Sequence, residues 1–319
     1  MNQVTLESNP ARSKFFQFAK ITLVLIFLVI IAGSVVRMAG AGMGCPDWPM
    51  CFGQIVPPTS LDELPENYME IYPKIKDYPF NAFHTWTEYI NRLVGALAGL
   101  ACLILFIWSF KFIKKDIKVF ALAGLVLAGM VFQAWLGAVV VYSVLQPFKI
   151  TIHMVMALVI VALMLSLIFR ENKDKLIPAW RNDVLLKRVS GILLLTVLAQ
   201  IILGTQVREG VDEVAKLMGE LQRPNWIEEL SFIKVLHRSF AWIPVLLSIF
   251  LVYLNVSRNY KMSSIWFIFG LILAEVLVGI ILYYFGMPNW AQPLHMVLSA
   301  VLFGACYLLV IRLRNWARY

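Results

Sequence analysis

Charged residues are scarce in this sequence. Asp, Glu, Lys and Arg make up only 15% of its 319 residues, whereas 60% are hydrophobic and the mean hydropathy is +0.76. Soluble domains carry about 25% charged residues, so this composition excludes a soluble globular protein and indicates one that lies almost entirely in a membrane. The net charge of +9 does not indicate nucleic-acid binding, because the basic residues are spread over several loops.

Long apolar runs take the place of charge. A helix needs about 20 apolar residues to cross a bilayer. Runs of about that length lie at 19–39, 85–109, 118–141, 149–169, 188–208, 233–255, 264–285 and 293–312. They predict an all-α membrane protein of eight transmembrane helices with no attached soluble domain, which argues against a receptor or a nucleotide-driven pump. The N-terminus is too short and mixed for a transit peptide, and the first run is too long for a cleaved signal. We therefore expect a multi-pass protein of a bacterial cytoplasmic membrane.

The basic residues predict an orientation. Cytoplasmic loops of membrane proteins carry an excess of Lys and Arg. Most of the 28 basic residues fall in segments that lie inside if the N-terminus is inside, whereas the long loops 40–83 and 209–232 are rich in Asp and Glu. We expect both termini in the cytoplasm and both of these loops outside.

Several motifs occur twice along the chain. GSVVR at the end of helix 1 matches GTQVR at the end of helix 5, and IHMVMA in helix 4 matches LHMVLSA in helix 8. NR in helix 2 matches HR in helix 6, and QAWLG in helix 3 matches EVLVG in helix 7 more weakly. The sequence thus predicts one four-helix bundle used twice, and such repeats build two related sites or one shared site. The predicted parts are a cytoplasmic segment at 1–18, an N-terminal half at 19–169, a cytoplasmic linker at 170–187 and a C-terminal half at 188–319.

Histidine is scarce too, and two of its four positions form a pair. His237 and His295 lie near the outer ends of helices 6 and 8, at matching depth in one bundle. Polar groups in lipid are costly and usually mark function. Two imidazoles that face each other across a bundle are typical axial ligands of a b-type haem. A zinc site or plain packing stays open, although no cluster of cysteine or carboxylate accompanies the histidines.

The N-terminal half departs from this pattern at helix 2. His153 in helix 4 matches His295, but Asn91 stands where helix 6 has His237. His84 lies earlier in the same helix, about 10 Å further out at 1.5 Å per residue. It is either an interfacial residue or a ligand.

Glu88 is a second difference between the halves, because its counterpart in helix 6 is Lys234. An acid in mid-membrane costs about 2.5–3.5 kcal/mol and needs a reason. One reason is an ion pair with Arg92, which follows at i+4 in the favourable order. The other is chemistry confined to the N-terminal half, with Glu88 handling protons.

Four arginines accompany these positions. Arg92 and Arg238 directly follow the two helix-2 and helix-6 ligand positions, and Arg37 and Arg208 end helices 1 and 5 on the outer side. A guanidinium binds a carboxylate bidentately, so these side chains are candidates for anchoring haem propionates. The alternative is ordinary snorkelling to the membrane interface.

Cysteine occurs four times. The stretch GCPDWPMCFG places Cys45 and Cys51 in the first outer loop, where an oxidising compartment lets a disulfide persist. A transient redox role is equally open, because exposed disulfides exchange. Cys102 and Cys306 lie in apolar helices, which is typical of core packing.

Together these features resemble the haem A synthases. The resemblance covers essentially the whole chain: eight helices in two halves, GCPDWPMC in the first outer loop, EYINR in helix 2, LHR in helix 6, and single histidines opening helices 4 and 8. It implies an oxidoreductase of haem A biosynthesis and cytochrome oxidase assembly. Such an enzyme oxidises the C8 methyl group of haem O to a formyl group by two hydroxylations and loss of water.

The resemblance also implies roles for single residues. Haem b would be the cofactor in the C-terminal half, and haem O would bind in the N-terminal half, with Glu88 as the catalytic group. The resemblance implies His237 and His295 as the iron ligands of the cofactor and His153 as the iron ligand of the substrate. Their positions in the sequence add further candidates: Arg208 and Arg238 for the cofactor, and Asn91, Arg92, Arg37 and His84 for the substrate. Cys45 and Cys51 match the outer-loop cysteine pair of the family.

Asn91 departs from the family pattern. Helix 2 commonly reads E-x-x-H-R in the family, and here it reads E-Y-I-N-R. An amide replaces a strong iron ligand, so a substrate iron held by His153 alone would keep an open face that oxygen activation can use.

The implied partners are haem O, membrane lipid, a quinol or thiol electron donor, haem O synthase, cytochrome oxidase assembly factors and further copies of this chain, but not nucleic acid. Two rival functions stay open. A non-catalytic b-type cytochrome would need His237 and His295 but neither Glu88 nor a porphyrin substrate. A haem-free transporter would use the histidines to relay protons.

Overall fold

Eight long helices account for most of the fold. The computed structural model describes residues 10–76, 78–172 and 183–314. The helices are α1 Pro10–Met38, α2 Ala82–Ser109, α3 Ile117–Tyr142, α4 Pro147–Phe169, α5 Val184–Met218, α6 Ile233–Phe240 continued by Trp242–Ser257, α7 Ser263–Tyr284 and α8 Ala291–Leu313. Each is long and apolar enough to cross a membrane, so the eight predicted spans are confirmed. Residues 1–9 of the predicted N-terminal segment and 173–182 of the predicted linker lie outside the described ranges.

Local sequence explains where several helices begin. The Asn81 side chain accepts a hydrogen bond from the backbone N–H of His84, and Asp183 accepts from the first N–H groups of α5. Such side chains satisfy donors that have no partner inside the helix. Pro147 opens α4, where its fixed φ suits the first turn and its missing N–H is not needed.

Two helices extend beyond the predicted apolar runs. α1 begins at Pro10 rather than at 19, because Phe15 and Phe16 are fully buried and Phe15 packs against Trp108 and Phe112.

The other extension is at the end of α5, which continues to Met218, beyond the predicted end at 208. Val211, on this extension, packs in a small core with Trp226 and Met287. The pattern here is amphipathic rather than uniformly apolar, so a search for apolar runs stops too early.

α6 is interrupted at Ala241, between its two segments. Pro244 has no backbone N–H to donate to the carbonyl group of Phe240, and its ring crowds that carbonyl. The interruption therefore follows from one proline in the apolar run.

The helices pack as two groups of four. α1 packs on α2 and α4, and α3 packs on the same two helices; α5 and α7 both pack on α6 and α8. The groups meet where α8 lies against α1 and α4. Gly304 of α8 lies at this contact, where a Cβ would be 3.5 Å from Leu165 and 3.6 Å from Val161. The predicted repeat of one unit and the predicted cytoplasmic termini stay predictions.

The loop between α1 and α2 forms a small domain at one end of the bundle. Cys45 and Cys51 are joined by a disulfide. They belong to a core that also contains Met43, Phe52 and Tyr68. We call this end of the molecule the disulfide end. Cys102 and Cys306 are free and buried inside helices, as the sequence predicts.

Candidate functional site

A cavity lies in the C-terminal group of helices, near the disulfide end. Its volume is about 660 Å³, which is within the range of small-molecule and cofactor sites. Most of its wall is apolar. The polar side chains on the wall include Gln200, Arg208, His237, Arg238, Glu275 and His295.

The imidazole rings of His237 and His295 are spaced as if for a shared metal. Their centroids are 6.5 Å apart, and the ring planes are inclined by 83°. Two imidazole nitrogens on opposite sides of one metal, each at about 2.0–2.1 Å from it, hold their ring centroids roughly 6–6.5 Å apart. The Nδ1 atom of His237 is buried without a hydrogen-bond partner. A buried polar atom without a hydrogen-bond partner is costly unless a bound ligand supplies that partner.

Glycines of neighbouring helices make room for both rings. A Cβ at Gly204 of α5 would lie 3.2 Å from Cε1 of His237, and a Cβ at Gly279 of α7 would lie 3.8 Å from Cε1 of His295. The contact at Gly204 is so tight that a side chain there would push the His237 ring.

Two polar residues beside the histidines were not predicted as site residues. Glu275 Oε2 lies 2.7 Å from His295 Nδ1. The side-chain amide of Gln200 donates to the backbone carbonyl of His237 at 3.0 Å. For Glu275 a signal was present in the sequence, because it opens EVLVG in helix 7 where helix 3 has the neutral Gln133.

Arg208 and Arg37 share one carboxylate at the cavity wall. Asp212, also missed by sequence reasoning, lies 2.7 Å from Arg208 Nη2 and 3.3 Å from Arg37 Nη2. Arg208 also donates to Gln292, and Arg37 donates to the sulfur of Met154 at 3.2 Å. The Nε atoms of both arginines are buried without a partner, so the pair has donors left for an anionic ligand.

Arg37 lies in different surroundings from those its sequence position suggests, whereas Arg238 lines the cavity for which it was predicted. Arg37 was expected to serve the substrate half, but it lines the cavity of the C-terminal half. Arg238 is exposed at the mouth of that cavity, with its guanidinium 5.2 Å from the ring centroid of Tyr283.

In the N-terminal group, His153 and Asn91 each lie against a glycine. A Cβ at Gly137 would lie 3.6 Å from Cε1 of His153, and a Cβ at Gly33 would lie 3.8 Å from Oδ1 of Asn91. His153 Nδ1 and Asn91 Oδ1 are both buried and lack a hydrogen-bond partner. Gln133 donates to the His153 backbone carbonyl at 2.9 Å. His153 and Asn91, two of the predicted substrate residues, thus each have a buried polar atom with unused hydrogen-bonding capacity.

Glu88 is held by the disulfide loop. Only 4% of it is exposed. Its Oε2 accepts a hydrogen bond from the backbone N–H of Cys45 at 2.8 Å, and its Oε1 lies 2.5 Å from Arg92 Nη2. The ion pair between Glu88 and Arg92 that the i+4 spacing predicts is present in the structure.

Arg92 is also engaged with this loop. Its guanidinium donates to the backbone carbonyls of Cys45, Asp47 and Met50, at 3.2, 2.7 and 2.9 Å. In this structure Arg92 fixes the disulfide loop against α2, in addition to its contact with Glu88.

Gly44 brings the loop close to the first turn of α2. A Cβ at this position would lie 2.4 Å from the backbone carbonyl oxygen of His84. The hydroxyl group of Thr85 donates to the Gly44 carbonyl at 2.8 Å. His84 itself is partly exposed in this first turn, two turns of helix before Asn91, and does not line the cavity of the C-terminal half.

Few protein side chains at the His237/His295 site could bind a metal. Within the described ranges, no three His, Cys, Asp or Glu side chains cluster in a way that could hold a metal ion. A site with two histidines in an apolar cavity suits a metal that brings its own in-plane ligands, as a porphyrin does.

Comparisons with known proteins identify relatives along almost the whole chain. The model of the COX15-CtaA family, described as a cytochrome oxidase assembly protein, matches residues 17–307. A heme A synthase of Shewanella oneidensis is 27% identical over 288 residues, which cover 82% of this chain and 85% of the relative. A heme A synthase of a Wolbachia from Brugia malayi is 26% identical, covering 92% of this chain and 95% of the relative. A third, from Flavobacterium psychrophilum, is 22% identical, with 87% and 91% covered.

Proposed function

Because this chain belongs to the COX15-CtaA family of cytochrome oxidase assembly proteins, we propose that it is a haem A synthase. It is an integral membrane oxidoreductase that oxidises the C8 methyl group of haem O to the formyl group of haem A. The observation that carries the proposal is the His237–His295 pair, at the spacing of two ligands to one metal, inside a cavity of cofactor size.

The cofactor is a haem b held in the C-terminal half. His237 and His295 would hold its iron through their imidazole nitrogens, with their rings packed against Gly204 and Gly279. Arg208 and Arg37 lie on the cavity wall, and Arg238 lies at its mouth, where guanidinium groups suit the propionates of a porphyrin. Bound haem supplies one-electron chemistry at its iron; the chain supplies the ligands, the apolar walls and the propionate contacts.

The substrate haem O binds in the N-terminal half. His153 supplies one nitrogen to its iron, and Asn91 faces the site with an amide oxygen that has no partner in the structure. An amide is a weak iron ligand but a good hydrogen-bonding group. Asn91 therefore leaves one face of the iron accessible while it orients a small polar molecule there.

Glu88 is the acid–base group of this half. The Cys45 N–H and Arg92 hold its carboxyl group in one position, which suits a residue that must take up or release a proton at a defined place. The same contacts tie the group to the disulfide loop, so the loop and the acid form one structural unit. Each of the two hydroxylations of the methyl group would consume one O2, two protons and two electrons from a quinol or a thiol, and would release one water. Loss of water from the resulting geminal diol gives the formyl group.

The partners that fit this activity are haem O, haem O synthase, assembly factors of cytochrome oxidase and further copies of the chain. The haem sites lie toward the disulfide end, which the distribution of charge predicts to be the outer face of the membrane.

Haem extraction from cells that express this chain together with a haem O source tests the proposal. Haem A is expected with the wild type and is expected to be lost with His153→Ala. Glu88→Gln should retain the low-spin spectrum of the C-terminal haem while haem A falls and a hydroxylated porphyrin accumulates. His237→Ala or His295→Ala should remove or convert that low-spin signal.

Three outcomes would contradict parts of the proposal. A wild-type protein that binds haem but yields no haem A is a b-type cytochrome rather than a synthase. A purified protein with no Soret band has neither haem function. A normal haem A yield from Glu88→Gln would leave Glu88 as a structural partner of Arg92 and the loop.

A further inference from the structure

We propose that Glu275 is a positioning residue for the axial ligand His295, and that it lowers the reduction potential of the iron in the C-terminal half. The inference rests on the proposed haem b site but concerns a residue outside the ligand set. It starts from one contact, the 2.7 Å between Glu275 Oε2 and His295 Nδ1.

The two side chains meet inside the helical bundle. Glu275 lies on α7 and His295 on α8, with side-chain exposures of 12% and 28%. Apart from Glu275, His295 Nδ1 has no polar partner among the described residues, so the carboxylate is the group placed to receive its proton. The imidazole packs against α7 at Gly279, one turn further along, where a Cβ would lie 3.8 Å from its Cε1 atom.

The carboxylate has few other contacts. Oε1 of Glu275 is buried with no hydrogen-bond partner. Within the described part of the chain, the ion pairs of Glu275 include the one with His295 and none with Lys or Arg. A buried carboxylate is costly unless it is paired, so this acid is better explained by the imidazole than by packing.

A carboxylate at one ring nitrogen has a defined effect on the other. It holds the proton on Nδ1, which leaves the lone pair of Nε2 for a metal and fixes the orientation of the ring. It also makes the imidazole a stronger donor to the metal. The added negative charge stabilises ferric over ferrous iron, so the reduction potential falls.

The other candidate ligands have neutral partners instead. Gln200 donates to the backbone carbonyl of His237, and Gln133 donates to that of His153. Gln133 stands in QAWLG at the position that Glu275 holds in EVLVG. The carboxylate contact thus distinguishes the cofactor site from the substrate site, and it makes the cofactor iron the better electron donor.

Redox titration of the purified holoprotein tests this role. In Glu275→Gln the midpoint potential of haem b should shift to a more positive value, while the low-spin bis-histidine spectrum persists. Glu275→Asp keeps the charge and should retain most of the wild-type potential. Glu229→Gln removes a negative charge from an exposed position at the end of the short helix Trp226–Glu229 and should leave the potential unchanged.

Each other outcome has a clear meaning. An unchanged potential in haem-loaded Glu275→Gln overturns the inference, as does equal loss of haem from the Gln and Asp variants, which would make Glu275 a folding residue. Loss of haem from the Gln variant alone supports it, because only the carboxylate differs. A wild type without haem would instead overturn the proposed function, so the two failures are distinguishable.

Discussion

At the scale of single residues, most buried polar atoms without partners lie around the two candidate sites. The side chains with such atoms include His153, His237, Asn91 and Glu275, on helices near the disulfide end, whereas Arg170 and Ser190 are examples elsewhere. Buried polar groups are almost always satisfied in folded proteins. A group of exceptions in one region therefore indicates a place prepared for a ligand rather than for packing.

Asn91→His tests the difference between the two halves. The change restores the family pattern E-x-x-H-R and places an imidazole next to Gly33. In the wild type, the amide oxygen of Asn91 lies 3.8 Å from where a Cβ of residue 33 would be. A second low-spin haem signal is expected in optical and paramagnetic resonance spectra, because two imidazoles can then bind the substrate iron. If the variant binds no more haem than the wild type, Asn91 does not face the porphyrin.

At the scale of elements, the disulfide loop and α2 act as one unit. In the sequence, Glu88 and Arg92 are isolated polar residues in an apolar helix. In the structure, both of them contact the disulfide loop. One guanidinium satisfies three backbone carbonyls of the loop. This explains why a carboxylate and a guanidinium occur together in α2.

Gly44→Ala should separate the loop from α2. The new Cβ would lie 2.4 Å from the backbone carbonyl of His84, and neither backbone can yield easily. We expect faster amide hydrogen exchange at Cys45, and a fall in haem A yield as Glu88 loses its loop contact. Gly99→Ala is the matched control, because no atom lies within 4 Å of a Cβ there. Wild-type exchange at Cys45 in the Gly44 variant would show that the loop does not depend on this close approach.

At the scale of the whole molecule, ion clusters stabilise the end opposite the disulfide loop. In the N-terminal group, Asp116 lies 2.9 Å from Arg170 and 3.5 Å from Arg12. In the C-terminal group, Asp183 accepts hydrogen bonds from Tyr260 at 2.6 Å and from Arg258. Each cluster joins helix ends that are distant in sequence, so each half is closed at this end by charge pairing.

Asp183→Asn should make stability less dependent on pH. Burial raises the pKa of Asp183, but hydrogen bonds from Tyr260, Leu186 N–H and Arg258 outweigh burial and lower the pKa below its ordinary value. A lowered pKa contributes stability above the ordinary value near 4, and this contribution is lost as pH falls through the folded pKa. Asn keeps the helix cap, so the variant isolates the charge.

The measurement is thermal unfolding of the purified protein at neutral and acid pH. The variant should be less stable than the wild type at neutral pH, and the difference should shrink as the pH falls below about 4. Glu66→Gln, in an exposed loop position, serves as the control. An equal difference at both pH values would mean that Asp183 acts through its shape and not through its charge.

The number and type of the helices, and the pairing of His237 with His295, could be predicted from the amino-acid sequence alone. Span length and apolar composition are local properties, so eight apolar runs predicted eight helices. His237 and His295 could be paired because repeated motifs placed them at equal depth in neighbouring helices, and the structure brings their rings 6.5 Å apart.

Which polar groups contact each other could be seen only in the packing of the helices and loops. Arg37 and Asp212 are 175 positions apart, and neither lies in a motif that indicates the other. Glu275 meets His295 because α7 and α8 pack together at one rotation, and Arg92 reaches the loop carbonyls because Gly44 lets the loop descend beside α2. Such contacts depend on helix rotation and loop path, which packing between distant segments determines and which hydrophobic periodicity does not specify.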